Sequence, residues 1–229
     1  MIEMTIHGRG GQGGVTLAKL IASAWFLRDC YVQAFGVYAA ERSGAPIQAF
    51  VRIDDQEIVN HNQVRTPNHV IVIDRMLIRP QVTAGMHADG WLILNSSEPP
   101  AHFADMFPGR QVATVDATRI AVANGLGSRA VPIVNTTILG ATLKVLGLTF
   151  DDVEGALRLV GFGGANVTSA RTAFDEVVAA QLPGKQKAVL PPGAGRAASI
   201  LDANIGGMPA IRTGTWATRR PDRHELTPP

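Results

Sequence analysis

The residues with the clearest chemical potential stand near the start of the chain, at Gly8-Arg9-Gly10-Gly11-Gln12-Gly13-Gly14, between an apolar stretch and a helical one. Five glycines in seven residues let the backbone turn sharply and approach a ligand with no Cβ in the way. They also present N–H groups at the positive end of the helix that follows. That chemistry suits a phosphate-bearing ligand. Gly8, Gly10 and Gly13 fit the G-x-G-x-x-G spacing of dinucleotide sites, but such sites also place an acidic residue after the second strand to hold a ribose hydroxyl. Here the second strand runs into Gly36-Val37-Tyr38, with no carboxylate. Three readings stay open on these residues alone: a nicotinamide site, some other phosphate or coenzyme contact, and a tight turn that binds nothing.

A second stretch with chemical content is Tyr38-Ala39-Ala40-Glu41-Arg42-Ser43-Gly44-Ala45-Pro46. Arg42 beside Ser43 could grip a phosphate or carboxylate through a forked contact, with Glu41 holding the guanidinium in place. A solvent-exposed Glu-Arg pair in a turn fits the spacing equally well. Nothing resembling a self-sufficient catalytic set accompanies these loops. His7, His61, His69, His87, His102 and His224 lack metal-ligand spacing, no G-x-S-x-G elbow is present, and Asp151-Asp152 reads as an ordinary surface pair. The chain is therefore expected to carry no catalytic residue and no metal of its own, and to act as a binding subunit.

The elements that must position these loops follow from periodicity. Ile2–His7 reads as a first strand, and Val15–Arg28 has the apolar spacing of a helix packed on a sheet. Tyr31–Phe35 is a second strand. Pro46–Ile53 alternates Ile47, Ala49, Val51 and Ile53 with Gln48, Phe50 and Arg52, which fits a half-covered antiparallel strand at an edge. The apolar runs at 69–73 and 91–94 fit buried parallel strands ending in Asp74 and Asn95, and 111–115 reads as a further strand that stops at Asp116. Helices are expected over 119–123, 134–146, 150–160 and 165–181. Strands alternating with helices argue for a doubly wound α/β domain, with a mostly parallel sheet and helices on both faces. In such folds ligands bind where strands end and helices begin. That places the glycine loop and 38–46 on one rim. Asp74, Asn95 and Asp116 join them there, in positions that mostly serve helix capping.

Composition bounds the rest. A 229-residue chain with 46% hydrophobic content fills one ordinary domain plus an extension. Residues 1–182 carry 14 basic and 16 acidic side chains, whereas 183–229 carry seven and three. No basic stripe with interleaved aromatics occurs, which argues against nucleic acid. The single cysteine, Cys30, excludes an internal disulfide, a cysteine-only zinc site and an iron-sulfur cluster built from this chain alone, and reads as a small buried residue. Neither a charged leader with an apolar run nor a stretch of about 18 apolar residues is present, so a cytoplasmic protein without membrane contact is expected. Residues 183–229 hold seven prolines and six glycines in 47 positions. An extended arm is expected there, ordered on a partner through Ile200, Leu201, Ile205, Met208, Ile211 and Trp216.

Order and spacing together support a more specific reading. The run Gly8 to Thr16, then Tyr31-Val32-Gln33, then Glu41-Arg42-Ser43-Gly44-Ala45-Pro46 and Val51-Arg52-Ile53 resemble the gamma subunit of 2-oxoacid:acceptor oxidoreductases, the pyruvate:ferredoxin oxidoreductase group. The likeness continues through 67–74, 134–140 and 166–174, and so covers 1–182. Members commonly read Glu-Arg-Arg-Gly-Gly-Pro where this chain has Glu41-Arg42-Ser43-Gly44-Ala45-Pro46. The tail, at Pro192-Gly193, Thr213-Gly214-Thr215-Trp216 and Arg220-Pro221, is similar to the lead-in of the family's delta subunit but lacks its cluster-binding cysteines. The resemblance implies a Rossmann-like domain that covers the active site of a complex and contributes to coenzyme A binding. The contacts it implies are Gly8, Gly10, Gly11, Gln12, Gly13, Arg42 and Ser43. It further implies thiamine diphosphate, Mg and iron-sulfur clusters on alpha, beta and delta-type partners, with ferredoxin or an NAD-reducing subunit as acceptor. An independent nicotinamide-binding reductase and a non-catalytic scaffold are the alternatives.

Overall fold

Strand β1 (Ile2–Arg9) sets the two faces of the sheet, because alternate side chains point to opposite sides. Met4 and Ile6 face a helical layer, while Glu3, Thr5 and His7 face the other way. The computed structural model describes residues 1–37, 44–127 and 132–184. Helix α1 (Gly14–Phe26) follows the glycine loop, then come β2 (Tyr31–Val37) and β3 (Pro46–Asp54). Strands β4 (His69–Val72), β5 (Trp91–Asn95) and β6 (Gln111–Val115) are joined through short 3-10 helices at Arg75–Leu77, Pro80–Thr83 and Pro100–Phe103. Helices α2 (Ala117–Ala123), α3 (Asn135–Val145), α4 (Phe150–Val160) and α5 (Ala165–Glu176) precede β7 (Val178–Gln181).

The seven strands form one sheet in the order β2-β3-β1-β4-β5-β6-β7. Strands β1, β4, β5 and β6 pair in parallel, whereas β3 runs antiparallel to both β1 and β2, and β7 runs antiparallel to β6. Five of the seven strands therefore point the same way, and the expected doubly wound, mostly parallel α/β architecture is present. Helical segments cover both faces unevenly. Apolar residues of all five α-helices pack in one core with Met4, Ile6, Val51, Ile71 and Ile93 of the sheet. The opposite face carries a smaller core in which Val70, Val72, Leu92 and Leu94 meet Leu77, Val82, Phe103 and Phe107 from the 3-10 segments and the turn after them.

Four sequence expectations are corrected. Strand β3 is not at an edge; it lies between β1 and β2, and β2 is the edge. Nor is it half-covered, since Phe50 and Arg52 are as buried as Val51 on the other face. Periodicity identifies faces but not neighbours. The last helix ends at Glu176, and its expected continuation is β7, whose small and β-branched residues fit the open side of β6. Cys30 is only partly buried, where the chain leaves α1 through Asp29 at φ 60°. The arm expected over 183–229 lies, beyond Gly184, outside the described residues.

Arg52 explains why the far face of β3 is covered. Its guanidinium, 1% exposed, donates to Glu3 Oε1 (2.7 Å), Gln33 Oε1 (2.8 Å), Asn60 O (2.9 Å) and Asn62 O (2.5 Å). A buried charge persists only when paired and hydrogen-bonded, and here Glu3 supplies the charge while two loop carbonyls complete the shell. The cluster pins the 55–63 segment over the sheet.

Candidate functional site

The glycine loop lies at the topological switch point, where the sheet order runs from β1 to β3 on one side and to β4 on the other. Its conformation requires glycine at Gly11 (φ 96°) and at Gly13 (φ 78°), where a Cβ would also collide with the side chain of Asn135. Gly13 is the N-cap of α1 and offers no side chain, and the first turn of the helix contains no acidic residue. The N–H groups of Gly14, Val15 and Thr16 consequently lack intrahelical acceptors. Helix α3 begins at Asn135, against Gly13, and its N-cap Val134 likewise supplies no side-chain bond. Two helix N-termini adjoin at the loop, which makes it favourable for an anion.

The loop is braced from both sides. Gln12 accepts a bond from Arg9 N–H through Oε1 (2.8 Å) and donates to Asp74 Oδ2 through Nε2 (2.8 Å). Arg9 Nε lies 3.1 Å from the same Asp74 oxygen, and Asp74 Oδ1 accepts the Met76 N–H at 2.8 Å. On the other flank, Gly10 N–H donates to Ala45 O (2.9 Å), Gly44 N–H donates to Gly10 O (3.3 Å), and an Arg9 Nη1 donates to Gly44 O (3.0 Å). Gly44 and Ala45 directly follow Ser43, so the two stretches singled out by their chemistry are joined at the carboxyl end of β1. Arg42 and Ser43 themselves lie outside the described residues.

Gly8, Gly10, Gly11, Gln12 and Gly13 thus occupy one loop, with Gln12 engaged at both ends of its amide as a brace. Arg9 and Asp74 belong to the site and carried no role in the sequence reading beyond the rim position of Asp74. The signal for Arg9 was faint, because a charged residue inside a glycine run reads as solvated, and its partner is far away in sequence. Asn95 and Asp116 behave as strand-end polar residues do. Asp116 caps α2 through Arg119 N–H (2.9 Å), while Asn95 donates to Ile73 O (2.8 Å) and accepts from Thr118 N–H (3.2 Å).

Beside the loop, on the face away from the α-helices, three side chains stand in register across β1, β3 and β2. These are His7, Gln48 and Val37, since His7 pairs with Gln48 and Gln48 with Val37. Towards the strands' other ends lie a second row, Thr5, Phe50 and Phe35, and then a third in which the buried Arg52 stands between Glu3 and Gln33. The first row opens on a groove, of about 420 Å³, walled by Leu77 and Val82 and rimmed by Arg79 and Gln81. Burial pushes the His7 pKa down to about 4, so the imidazole is neutral at pH 7. Gln48 Nε2 approaches its Nδ1 at 3.5 Å. Among the described residues no three His, Cys, Asp or Glu side chains cluster as a metal site, and no helix is long and apolar enough to cross a membrane.

Comparison with known proteins places this geometry in context. The family model for pyruvate ferredoxin/flavodoxin oxidoreductase matches residues 3–187. The pyruvate/ketoisovalerate oxidoreductases common subunit gamma of Thermococcus litoralis is 40% identical over 189 residues, spanning 80% of this chain and 100% of that one. The pyruvate synthase subunit PorC of Methanothermobacter thermautotrophicus is 40% identical over 185 residues, 77% of this chain and 96% of that one. Among solved structures, the pyruvate oxidoreductase subunit PORC of Thermotoga maritima superposes with a TM-score of 0.68 at 32% identity, covering 79% of this chain and 98% of that one. A 2-oxoglutarate:ferredoxin oxidoreductase from Magnetococcus marinus shares the fold at 16% identity and a TM-score of 0.57, over 76% of this chain and 30% of that one.

Proposed function

This chain belongs to the pyruvate ferredoxin/flavodoxin oxidoreductase family as a gamma-type subunit, and on that premise we propose that its glycine loop serves coenzyme A. The complex it serves oxidatively decarboxylates a 2-oxoacid, such as pyruvate or an arylglyoxylate such as phenylglyoxylate, to an acyl-CoA and CO2. Electrons pass to ferredoxin or NAD. Thiamine diphosphate, Mg and the iron-sulfur clusters belong to alpha, beta and delta-type partners in this reading, consistent with the single cysteine here. The subunit binds and orients the acyl acceptor and helps close the active site, and the Pro/Gly-rich 183–229 arm docks on the partners.

One observation carries the proposal. The N–H groups at the start of α1, which lack intrahelical acceptors, stand at the strand ends, and the described flank of the Arg42 loop, Gly44 and Ala45, is hydrogen-bonded to Gly10 of the same glycine loop. Such a cradle suits the pyrophosphate of a coenzyme, with Arg42 adding a charge-assisted bond. The test is steady-state kinetics of the assembled complex carrying Arg42→Ala. The half-saturating coenzyme A concentration should rise about tenfold or more, the loss of one charged hydrogen bond of about 1.5–3 kcal/mol, while decarboxylation in the absence of coenzyme A persists. An unchanged coenzyme A response with normal assembly would overturn the reading. The isolated chain should be inactive, and native purification should bring down larger partners with iron-sulfur absorbance.

A further inference from the structure

Strand β2 closes one side of the sheet, and its outer edge has no hydrogen-bonding neighbour among the described residues. Which groups it leaves open follows from the ladder. Glu3 O accepts from Asn68 N–H and His7 O accepts from Ile73 N–H, so the odd residues of β1 direct their backbone groups towards β4 and the even ones towards β3. Register carries this alternation across the sheet. Met4 and Ile6 face Val51 and Ala49, which leaves Phe50 and Arg52 turned to β2, opposite Phe35 and Gln33. Tyr31, Gln33, Phe35 and Val37 are thereby bonded to β3, while Val32, Ala34 and Gly36 each turn an N–H and a C=O outwards.

Proteins protect exposed edges by keeping them short, by charge, by bulges or by proline. The margin at β7 is short, at four residues. Strand β2 has none of these devices: Tyr31-Val32-Gln33-Ala34-Phe35-Gly36-Val37 is seven residues long, without a charge or a proline. Apolar surface continues from its first residue. Phe26 and Leu27 at the end of α1 are 59% and 49% exposed, Tyr31 is 51% exposed, and together with Val32 they line one groove beside the strand.

We propose that β2 pairs antiparallel with β2 of a second copy of this chain, about a two-fold axis at Ala34, so that one sheet runs through both copies. That axis sets Ala34 opposite itself, Val32 opposite Gly36, Gln33 opposite Phe35 and Tyr31 opposite Val37. The outward groups of Val32, Ala34 and Gly36 on one copy then meet those of Gly36, Ala34 and Val32 on the other, and none is left over. No like charges meet, because the strand carries none. The side chains that meet on the helical face are the small ones, with Val32 and Ala34 already packed on the main core. An isologous contact needs a surface that complements itself. A foreign strand would have to match this edge in length, lack of charge and open backbone groups, and every copy of the chain brings that match with it.

Light scattering of the full chain over a range of concentrations reads the oligomeric state, and residue-resolved amide exchange reads the surface. A dimer is expected, with the amides of Val32, Ala34 and Gly36 exchanging more slowly as concentration rises. Ala34→Pro deletes one outward N–H and leaves the β2–β3 ladder intact, since edge strands admit proline. It should be monomeric, with Val32 and Gly36 exchanging at least tenfold faster and Gln33, Phe35 and Val37 still protected. A second pair of variants guards against a folding defect from the proline. Tyr31→Lys with Val37→Lys sets lysine against lysine at both ends of the interface, whereas Tyr31→Lys with Val37→Glu sets lysine against glutamate. The first should dimerise at least tenfold more weakly than the second. A chain that is monomeric at every concentration, a dimer whose residues 32, 34 and 36 still exchange fast, or equal association of the two charge variants would each overturn the pairing. Slowing of those amides only on assembly with partner subunits would give the edge to a partner and overturn it equally.

Discussion

Arg9 and Asp74 stand at the carboxyl ends of adjacent parallel strands and meet through Arg9 Nε and Asp74 Oδ2 at 3.1 Å. The same oxygen accepts from Gln12, so one carboxylate holds two residues of the glycine loop. Asp74→Ala should release both. The amides of residues 8–13 should then exchange faster with solvent deuterium, while those of β4 and β5 keep their protection. Asp74→Asn retains an oxygen for Gln12 or Met76 but not the charge for Arg9, and its exchange should fall between the two. Unchanged exchange in Asp74→Ala would show that backbone bonding to Gly44 and Ala45 alone fixes the loop.

Gly13 is constrained twice, by its left-handed backbone and by Asn135. Gly13→Ala should cost about 1–2 kcal/mol from the backbone alone, with the collision added. Combining it with Asn135→Ala should recover the collision part only. Denaturant midpoints of the two single variants and the double variant separate the terms, and full recovery in the double variant would mean that φ contributes nothing.

Arg52 should be among the more sensitive positions for stability. Arg52→Met removes the charge that Glu3 faces and strands Gln33 and two loop carbonyls, a loss of about 3–5 kcal/mol for a broken buried pair. Arg52→Lys should rescue little, because one ammonium cannot reproduce a planar fork directed at four acceptors. Urea denaturation reads both, and near-native stability of the lysine variant would refute the geometric argument.

His7 makes stability depend on pH in a defined window. Its folded pKa is lowered to about 4 from an ordinary 6.5, so below pH 6.5 the unfolded chain takes up a proton that the folded chain refuses. Stability from this residue is complete above pH 6.5 and declines as pH falls towards 4. The melting temperature of His7→Gln should fall less steeply than that of the parent across this window. Parallel curves would place the titration elsewhere.

Much of this architecture was legible before any coordinates. Helix α4 matches its apolar spacing from Phe150 to Val160, with Thr149 and Asp152 forming the capping box, and β1, β4, β5 and β6 follow their apolar runs. Those signals are local. The placement of β3 was not local, because Ile47 to Ile53 alternates identically whether the strand is central or marginal. What buries Arg52 is a loop whose approach depends on Glu3 and Gln33, residues on two other strands. The glycine loop could be identified from composition, but its braces could not, since Asp74 meets Arg9 and Gln12 only after β1 and β4 pair. The His7 groove was hidden for the same reason. Its three floor residues come from three strands and look unrelated in sequence.

The β6–β7 ladder joins Thr114 to Val178, and all of α2 to α5 lies in the chain segment that it encloses. Closing so long a loop carries an entropic cost that must be met before the contacts form, which favours local structure first. The β2–β3 hairpin is the opposite case, linking neighbours in sequence. Assembly is therefore expected to run from the hairpin side of the sheet towards β7. A four-residue strand paired on one side only is also expected to fray first, so cleavage near Gln181 should open the β6 margin before it reaches the glycine loop at the far strands of the sheet.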